Sequence, residues 1–411
     1  MTTDVCILGA GPGGSSAAIA LAKQGVRATL IDKAVFPRDK VCGDALSGKV
    51  MRSLERLDPA LAMVLRKDAR QLPSWGVTFT APNRRSLRVP FTRETGQGQA
   101  PGAIMPRLDF DALLFERAKA APGITTLQGT TAKKSTRNAD GWSIELTRTD
   151  GSRSVLQCRL LIAADGANSP FARHVAGLSM EPQHHCAGVR AYYTGVTGLD
   201  PEGFIELIFL KELLPGYLWI FPLPDGRANV GLGMRSDVVK RRRMDLKAEM
   251  ARLLNEHPDL KERFANARIE GGIQGMGLPL GSKRRALSGA GYLLVGDAGH
   301  LIDPFTGEGI SHAMISGVHA AEVAADALRR NDLSASALRA YDQRVWKRLG
   351  KELSTSTTLQ RLAQRPWLFD LVVNKATRNP MLADTISCMF NDLDLRERLR
   401  KPSFYFKLLF G

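Results

Sequence analysis

Gly9-Ala10-Gly11-Pro12-Gly13-Gly14 restricts what this chain can fold into more than any other stretch. It follows a short apolar run, Asp4 to Leu8, and precedes the helix-compatible SSAAIALAKQ, which Gly25 closes; a second apolar run, ATLI, leads into Asp32. Strand, glycine turn, helix and strand in that order begin a βαβ unit and therefore a parallel sheet. Gly9, Gly11 and Gly14 satisfy GxGxxG in the setting that gives the pattern meaning. Glycines permit the tight turn and close backbone approach, and the amino end of the helix offers N–H groups to a pyrophosphate. Asp32, with Lys33 beside it, sits where a carboxylate accepts hydrogen bonds from a ribose. A dinucleotide site is expected here.

The far half of the chain returns to the same ligand. LLIAADGANSPFARHV places Asp165-Gly166 at the end of an apolar strand, and YLLVGDAGHLIDPFTGEGI places Asp297 at the end of another, ahead of a glycine-rich turn into a helix. A ligand approached from both ends of the chain is a long, buried dinucleotide. No second glycine fingerprint with strand-turn-helix surroundings is present for a nicotinamide cofactor.

Between these motifs the pattern predicts a helix over 107–121, strands near 124–136, 142–149 and 155–163, and an antiparallel sheet between 185 and 234. Residues 244–265, the stretch from Gly309, and the chain beyond about 330 read as helical. The fold class is therefore α/β, α+β overall. A Rossmann-like nucleotide-binding domain is assembled from 1–72, 100–182 and 284–330, a sheet domain for substrate is inserted as 73–99 and 183–283, and 331–411 form a helical carboxy-terminal region.

Composition removes several alternatives. With 411 residues the chain buries a core without staples. Its five cysteines, Cys6, Cys42, Cys158, Cys186 and Cys388, are odd in number and never in CxxC spacing, so free thiols in a reducing compartment are expected rather than zinc or a dithiol pair. The histidines, including the adjacent His184 and His185 and the heptad pair His312 and His319, have no consistent metal spacing, and no metal is expected. The formal charge of +16 favours anionic partners. Its densest cluster, Lys240 to Arg243, has no interleaved aromatics, so it reads as a solvated face rather than a nucleic-acid site. The amino terminus enters a strand directly, and no run of about 18 apolar residues occurs, so a cytoplasmic protein is expected. The carboxy-terminal KPSFYFKLLFG mixes cations with aromatics and is a candidate for peripheral membrane contact.

The glycine fingerprint, the Arg107-x-x-Phe110-Asp111 step, the ADG turn and the GDAGHLIDPFTGEG block together resemble FAD-dependent oxidoreductases of the para-hydroxybenzoate hydroxylase structural class. Within that class, KVCGDAL and PGYLWIFP (Pro215 to Pro222) resemble the geranylgeranyl reductase family. The resemblance covers roughly residues 1–330 and implies FAD, with NADPH, NADH or ferredoxin as electron donor and a hydrophobic isoprenoid or polyene as substrate. It implies that Gly9, Gly11, Gly14, Asp32 and Lys33 hold the adenosine half, that Arg107, Ala132 and Asp165 contact the cofactor along its length, and that Asp297 binds the ribityl-phosphate region. Gly307, Gly309 and Ile310 would approach the flavin ring, as would Cys42, Gly43 and Ala45. Tyr217, Trp219 and Phe221 alternate, so on a strand they share one face. With Pro222 they are expected to wall the substrate tunnel, the plainer reading being a core stripe.

Saturating an isolated double bond needs a hydride and a proton, and Cys42 is the candidate to donate the proton or to gate the flavin, against the plainer reading of a small buried hydrophobe. The same scaffold also serves hydroxylases and halogenases. Halogenases require a lysine before a Gly-x-x-Phe strand, whereas PSWGVTF has Ser74 and Trp75 before Gly76.

Overall fold

The computed structural model describes residues 1–91 and 98–378. Cys388 and the KPSFYFKLLFG terminus lie outside the described residues.

Strand Thr2–Leu8, helix Pro12–Lys23 and strand Ala28–Ile31 form the expected opening unit. The first strand lies in the middle of a sheet ordered Tyr292–Leu294, Arg153–Ala163, Thr2–Leu8, Ala28–Ile31, Ile124–Leu127, all parallel. Such strands are buried on both faces, which explains their apolar runs. Strands Thr130–Arg137 and Trp142–Arg148 extend Arg153–Ala163 as antiparallel hairpins. From Thr2–Leu8 the chain winds first towards Ala28–Ile31 and later, on the other side, towards Arg153–Ala163. The strand order therefore reverses between Thr2–Leu8 and Arg153–Ala163, and the crevice at their carboxyl ends is where such sheets bind ligands. Gly9 and Asp165 both stand at that edge.

A second, seven-stranded sheet runs Arg268–Pro279, His185–Thr194, Ala228–Arg235, Tyr217–Pro222, Ile205–Ile208, Gly76–Thr80, Ser86–Pro90. It departs from the expected antiparallel sheet at one place, because Ile205–Ile208 pairs with Gly76–Thr80 in parallel. These strands come from distant parts of the chain, so no hairpin dictates their direction. One face packs on helix Leu246–Glu256 through Leu218, Ile220, Met250 and Leu253, and the other carries Tyr217, Trp219 and Phe221. A three-stranded sheet of Ala45–Leu46, Gly102–Ile104 and Leu72–Ser74 lies between the larger two in sequence.

The helices fall close to expectation, with Arg107–Lys119, Leu246–Glu256, Ile310–Arg329 and Ala335–Leu362 all present. The basic cluster is part of a helix rather than a run before one: Lys240 to Arg242 form the last turn of Ser236–Arg242, and Arg243 caps it in a left-handed conformation. His184 ends a short 3-10 turn rather than lying on a strand. Among the described residues no helix is long and apolar enough to cross a membrane.

Candidate active site

The glycine turn is shaped by excluded volume. A Cβ on Gly9, whose φ is +92°, would lie 2.4 Å from the Ala164 carbonyl oxygen, and one on Gly14 would lie 1.8 Å from that of Gly9. Gly13 is pressed by Val295, and its carbonyl meets Gly317 of helix Ile310–Arg329, where an added Cβ would sit at 2.3 Å. Gly317 is thus a packing requirement that the fingerprint alone does not reveal. Gly11 differs: a Cβ there would meet only Arg38 Nη2, at 3.6 Å, so this side of the turn is open at the head of a helix that no side chain caps. Asp32 ties the turn to the next strand, accepting from the N–H of Ala10 at 2.8 Å and of Ala34 at 2.9 Å. Lys33 is exposed beside it, and Thr130 donates its N–H to the Asp32 carbonyl, which brings the strand carrying Ala132 to the same end. Asp165 presents a buried Oδ1 with no hydrogen-bond partner, and burial raises its pKa. An open glycine, an uncapped helix and an unsatisfied buried oxygen along one crevice fit a dinucleotide.

A cavity opens from this crevice. Its border includes Cys42, Gly43, Ala45, Arg107, Asp297, Gly307, Gly309 and Ile310 together with Tyr217, Trp219 and Phe221. Gly9, Gly11, Gly14, Asp32, Lys33, Ala132 and Asp165 are not on its wall, nor is Pro222, which is buried at the end of its strand. Arg107 is buried rather than part of a surface ion pair. Its guanidinium donates to both Asp111 oxygens, at 2.6 and 2.7 Å, and also contacts Cys42. Asp111 takes a further 2.6 Å bond from Arg38, and the surrounding cations hold its carboxyl low despite burial. Asp297 pairs with Lys40 at 3.0 Å.

The aromatic stripe is at once cavity border and core. Tyr217, Trp219 and Phe221 border the cavity and also pack on Val77, Phe79, Leu207 and Phe209. Trp219 lies over Gly231, where an added Cβ would meet the indole at 2.3 Å. The Tyr217 hydroxyl donates to the Thr306 carbonyl, joining the stripe to the Gly307–Ile310 turn.

Two polar clusters escaped the sequence. The first surrounds Asp44, which is fully buried at φ +66°. Its Oδ2 accepts from Tyr192 Oη and Asn229 Nδ2, both at 2.7 Å, and its Oδ1 from the Arg107 N–H at 3.2 Å. Asn229 also donates to the Cys42 carbonyl at 2.8 Å and accepts from Trp219 Nε1 at 2.9 Å, so one amide fixes the Cys42 loop against the aromatic face. Arg190 donates to the Cys42 carbonyl and to Asp39. The second cluster lies behind the Gly307–Ile310 turn. Glu308 accepts from Ser47 at 2.7 Å and faces buried Lys49 at 3.7 Å; Lys49 pairs with Glu352, which His312 Nε2 meets at 3.2 Å. Those bonds to Glu352 raise the His312 pKa against its burial. Ser356 and Gln360 reach the same turn through Asp303 and the Pro304 carbonyl, so helix Ala335–Leu362 buttresses the site instead of forming a separate tail. The helical pattern puts His312 on a buried face, but nothing in the local sequence points to a glutamate 40 residues away.

The FAD binding domain family matches residues 2–348. The chain belongs to that family, in its geranylgeranyl reductase branch. The digeranylgeranylglycerophospholipid reductase of Methanocaldococcus jannaschii is 34% identical to this flavoprotein over 351 residues, 84% of this chain and 82% of the relative. The menaquinone reductase of Mycobacterium tuberculosis (strain ATCC 25618 / H37Rv) is 31% identical over 338 residues, 78% and 76% of the two chains. A solved structure of a geranylgeranyl bacteriochlorophyll reductase-like protein from Thermoplasma acidophilum has the same fold, with a TM-score of 0.80 at 24% identity over 97% of this chain and 98% of that one. At PSWGVTF, Ser74 borders the cavity of this flavoprotein, and the stretch supplies no lysine of the kind halogenation requires.

Proposed function

We propose that this flavoprotein saturates carbon–carbon double bonds of an isoprenoid or polyene chain in the cavity bordered by the Cys42 loop and the aromatic face, drawing electrons from NADPH, NADH or ferredoxin. The observation that carries this reading is the shared cavity: the Gly307–Ile310 turn, the Cys42–Ala45 loop and the Tyr217, Trp219 and Phe221 face all border one space. Reduced FAD supplies the hydride when bound.

The chain's own residues then have distinct tasks. Gly9, Gly11 and Gly14 let backbone approach the pyrophosphate at the head of helix Pro12–Lys23. Asp32, Lys33 and the strand around Ala132 hold the adenosine end, while Asp165 and Asp297 take up hydroxyl groups along the cofactor. Arg107, neutralised by Asp111, braces the Cys42 loop. Gly307, Gly309 and Ile310, with Gly43 and Ala45, offer main chain to the ring. Tyr217, Trp219 and Phe221, with Pro222 anchoring the end of their strand, exclude water and orient an apolar chain. In this reading 1–72, 100–182 and 284–330 serve the cofactor, 73–99 and 183–283 serve the substrate, and the carboxy-terminal region beyond 330 supports the site.

Anaerobic incubation of the reduced holoprotein with a digeranylgeranyl glycerolipid or a menaquinone, followed by mass spectrometry, tests the proposal. Products gaining two hydrogens per event are expected. Gain of one oxygen under air would establish hydroxylation instead, and no change in either lipid class would defeat the proposal. Cys42→Ser should retain its flavin and alter the rate or extent of reduction several-fold. Unchanged rates and products would reduce Cys42 to a packing residue.

A further inference from the structure

We propose that Asp44 is the proton-donating acid of this cavity, held in place by Tyr192 and Asn229. The inference rests on the reductase reading above and adds the residue that reading lacks. Asp44 borders the cavity, is fully buried, and occupies a left-handed conformation between Gly43 and Ala45 that places it two residues from Cys42. Left-handed backbone in a residue other than glycine is uncommon and clusters at functional sites. Its Oδ2 is occupied by two donors, whereas Oδ1 accepts only the Arg107 N–H, leaving a lone pair on Oδ1 for a proton.

The surroundings suit an acid that changes state near neutrality. Burial drives the Asp44 pKa up to about 6, against the lowering effect of Tyr192, Arg190 and Asn229. Arg107 and Arg190, the cations of the elements packed around it, are themselves engaged by Asp111 and Asp39. Cys42, on the same loop, turns its carbonyl to Asn229 and Arg190. An acid with a pKa near the working pH combines a usable protonated fraction with a usable driving force.

The step balances as follows. The alkene π bond breaks; one carbon takes a hydride, with its electron pair, from the reduced cofactor. The other carbon takes the proton of the Asp44 carboxyl, whose O–H electrons remain on the carboxylate. Once the product leaves the cavity that Asp44 borders, a proton from bulk solvent restores the carboxyl. Tyr192 and Asn229 act as positioning residues that stabilise the resulting carboxylate.

The test uses the FAD-loaded protein with carbon-13-labelled aspartate. Isotope-edited infrared spectra should contain a protonated carboxyl band that titrates at about 6 and is absent from Asp44→Asn. In anaerobic single turnovers with a digeranylgeranyl glycerolipid, Asp44→Asn should slow saturation by about 100-fold or more at unchanged flavin content. Tyr192→Phe removes a donor that favours the carboxylate. It should therefore move both the band and the falling limb of the pH–rate profile to higher pH, which a purely structural role would not do. Absence of the band in the native protein, native rates in Asp44→Asn, or an unmoved profile in Tyr192→Phe would each overturn the assignment while leaving the reductase reading intact. Failure of the native protein to saturate the lipid would overturn both.

Discussion

In the loop Gly9–Gly14 the constraint is space: backbone meets backbone at distances where no Cβ fits. In the loop Lys40–Ala45 the constraint is hydrogen bonding, supplied by Arg107, Arg190, Tyr192 and Asn229 from positions 63 to 187 residues away. Both loops abut the same ligand crevice, yet the first is rigid through its own residue type and the second through its partners. Damage to the first should therefore cost the cofactor. Damage to the partners of the second should leave the cofactor bound and spoil the reaction.

The largest expected effect breaks the first loop. Gly14→Ala places a methyl against the Gly9 carbonyl, and overpacking against backbone that cannot withdraw should cost about 3 kcal/mol or more. The purified variant should lose its flavin absorbance and melt well below the native protein. A fully flavin-loaded Gly14→Ala would show that the loop yields more easily than its contacts imply.

Asn229→Leu tests the second loop. It strands Trp219 Nε1, at about 1–3 kcal/mol if left unsatisfied, and removes the shorter of the two bonds to the Cys42 carbonyl, leaving only that from Arg190. Flavin content should stay near native while turnover falls at least tenfold, as measured by reduction of the lipid at saturating flavin. Loss of flavin in step with turnover would erase the distinction between the loops.

The smallest effect concerns the wall behind Glu308. His312 has a raised folded pKa, so its contribution to stability is full below its unfolded value of about 6.5 and is lost as pH rises through the folded value. His312→Leu should lower stability by about 1–2 kcal/mol in acid and by less in alkali, as denaturant unfolding at a series of pH values would measure. A pH-independent deficit would mean that His312 acts through packing alone.

The legibility of each part follows from the range of the contacts that define it. The βαβ unit, the Asp32 position and the ADG and GDAG turns were readable because glycine, apolar run and helix start are neighbours in sequence and report local backbone geometry. Alternation of Tyr217, Trp219 and Phe221 likewise follows from the period of a strand. By contrast, Asn229 and Tyr192 look like ordinary polar and aromatic strand residues. Only the pairing of Tyr192 with Asn229 across two antiparallel strands turns them together towards Asp44. The sequence around His312 shows no acidic partner for it because Glu352 lies on another helix.

The sequence by itself determined a parallel nucleotide-binding sheet, the glycine turn that requires glycine, and an aromatic face on one strand, since each follows from steric rules acting over a few residues. Only the tertiary structure decided that Ile205–Ile208 runs parallel to Gly76–Thr80, that helix Ala335–Leu362 braces the Gly307–Ile310 turn, and that Asp44 is buried among Tyr192, Asn229 and Arg107. Those outcomes depend on which distant backbones lie side by side, and a buried polar group acquires its chemistry from the partners they bring.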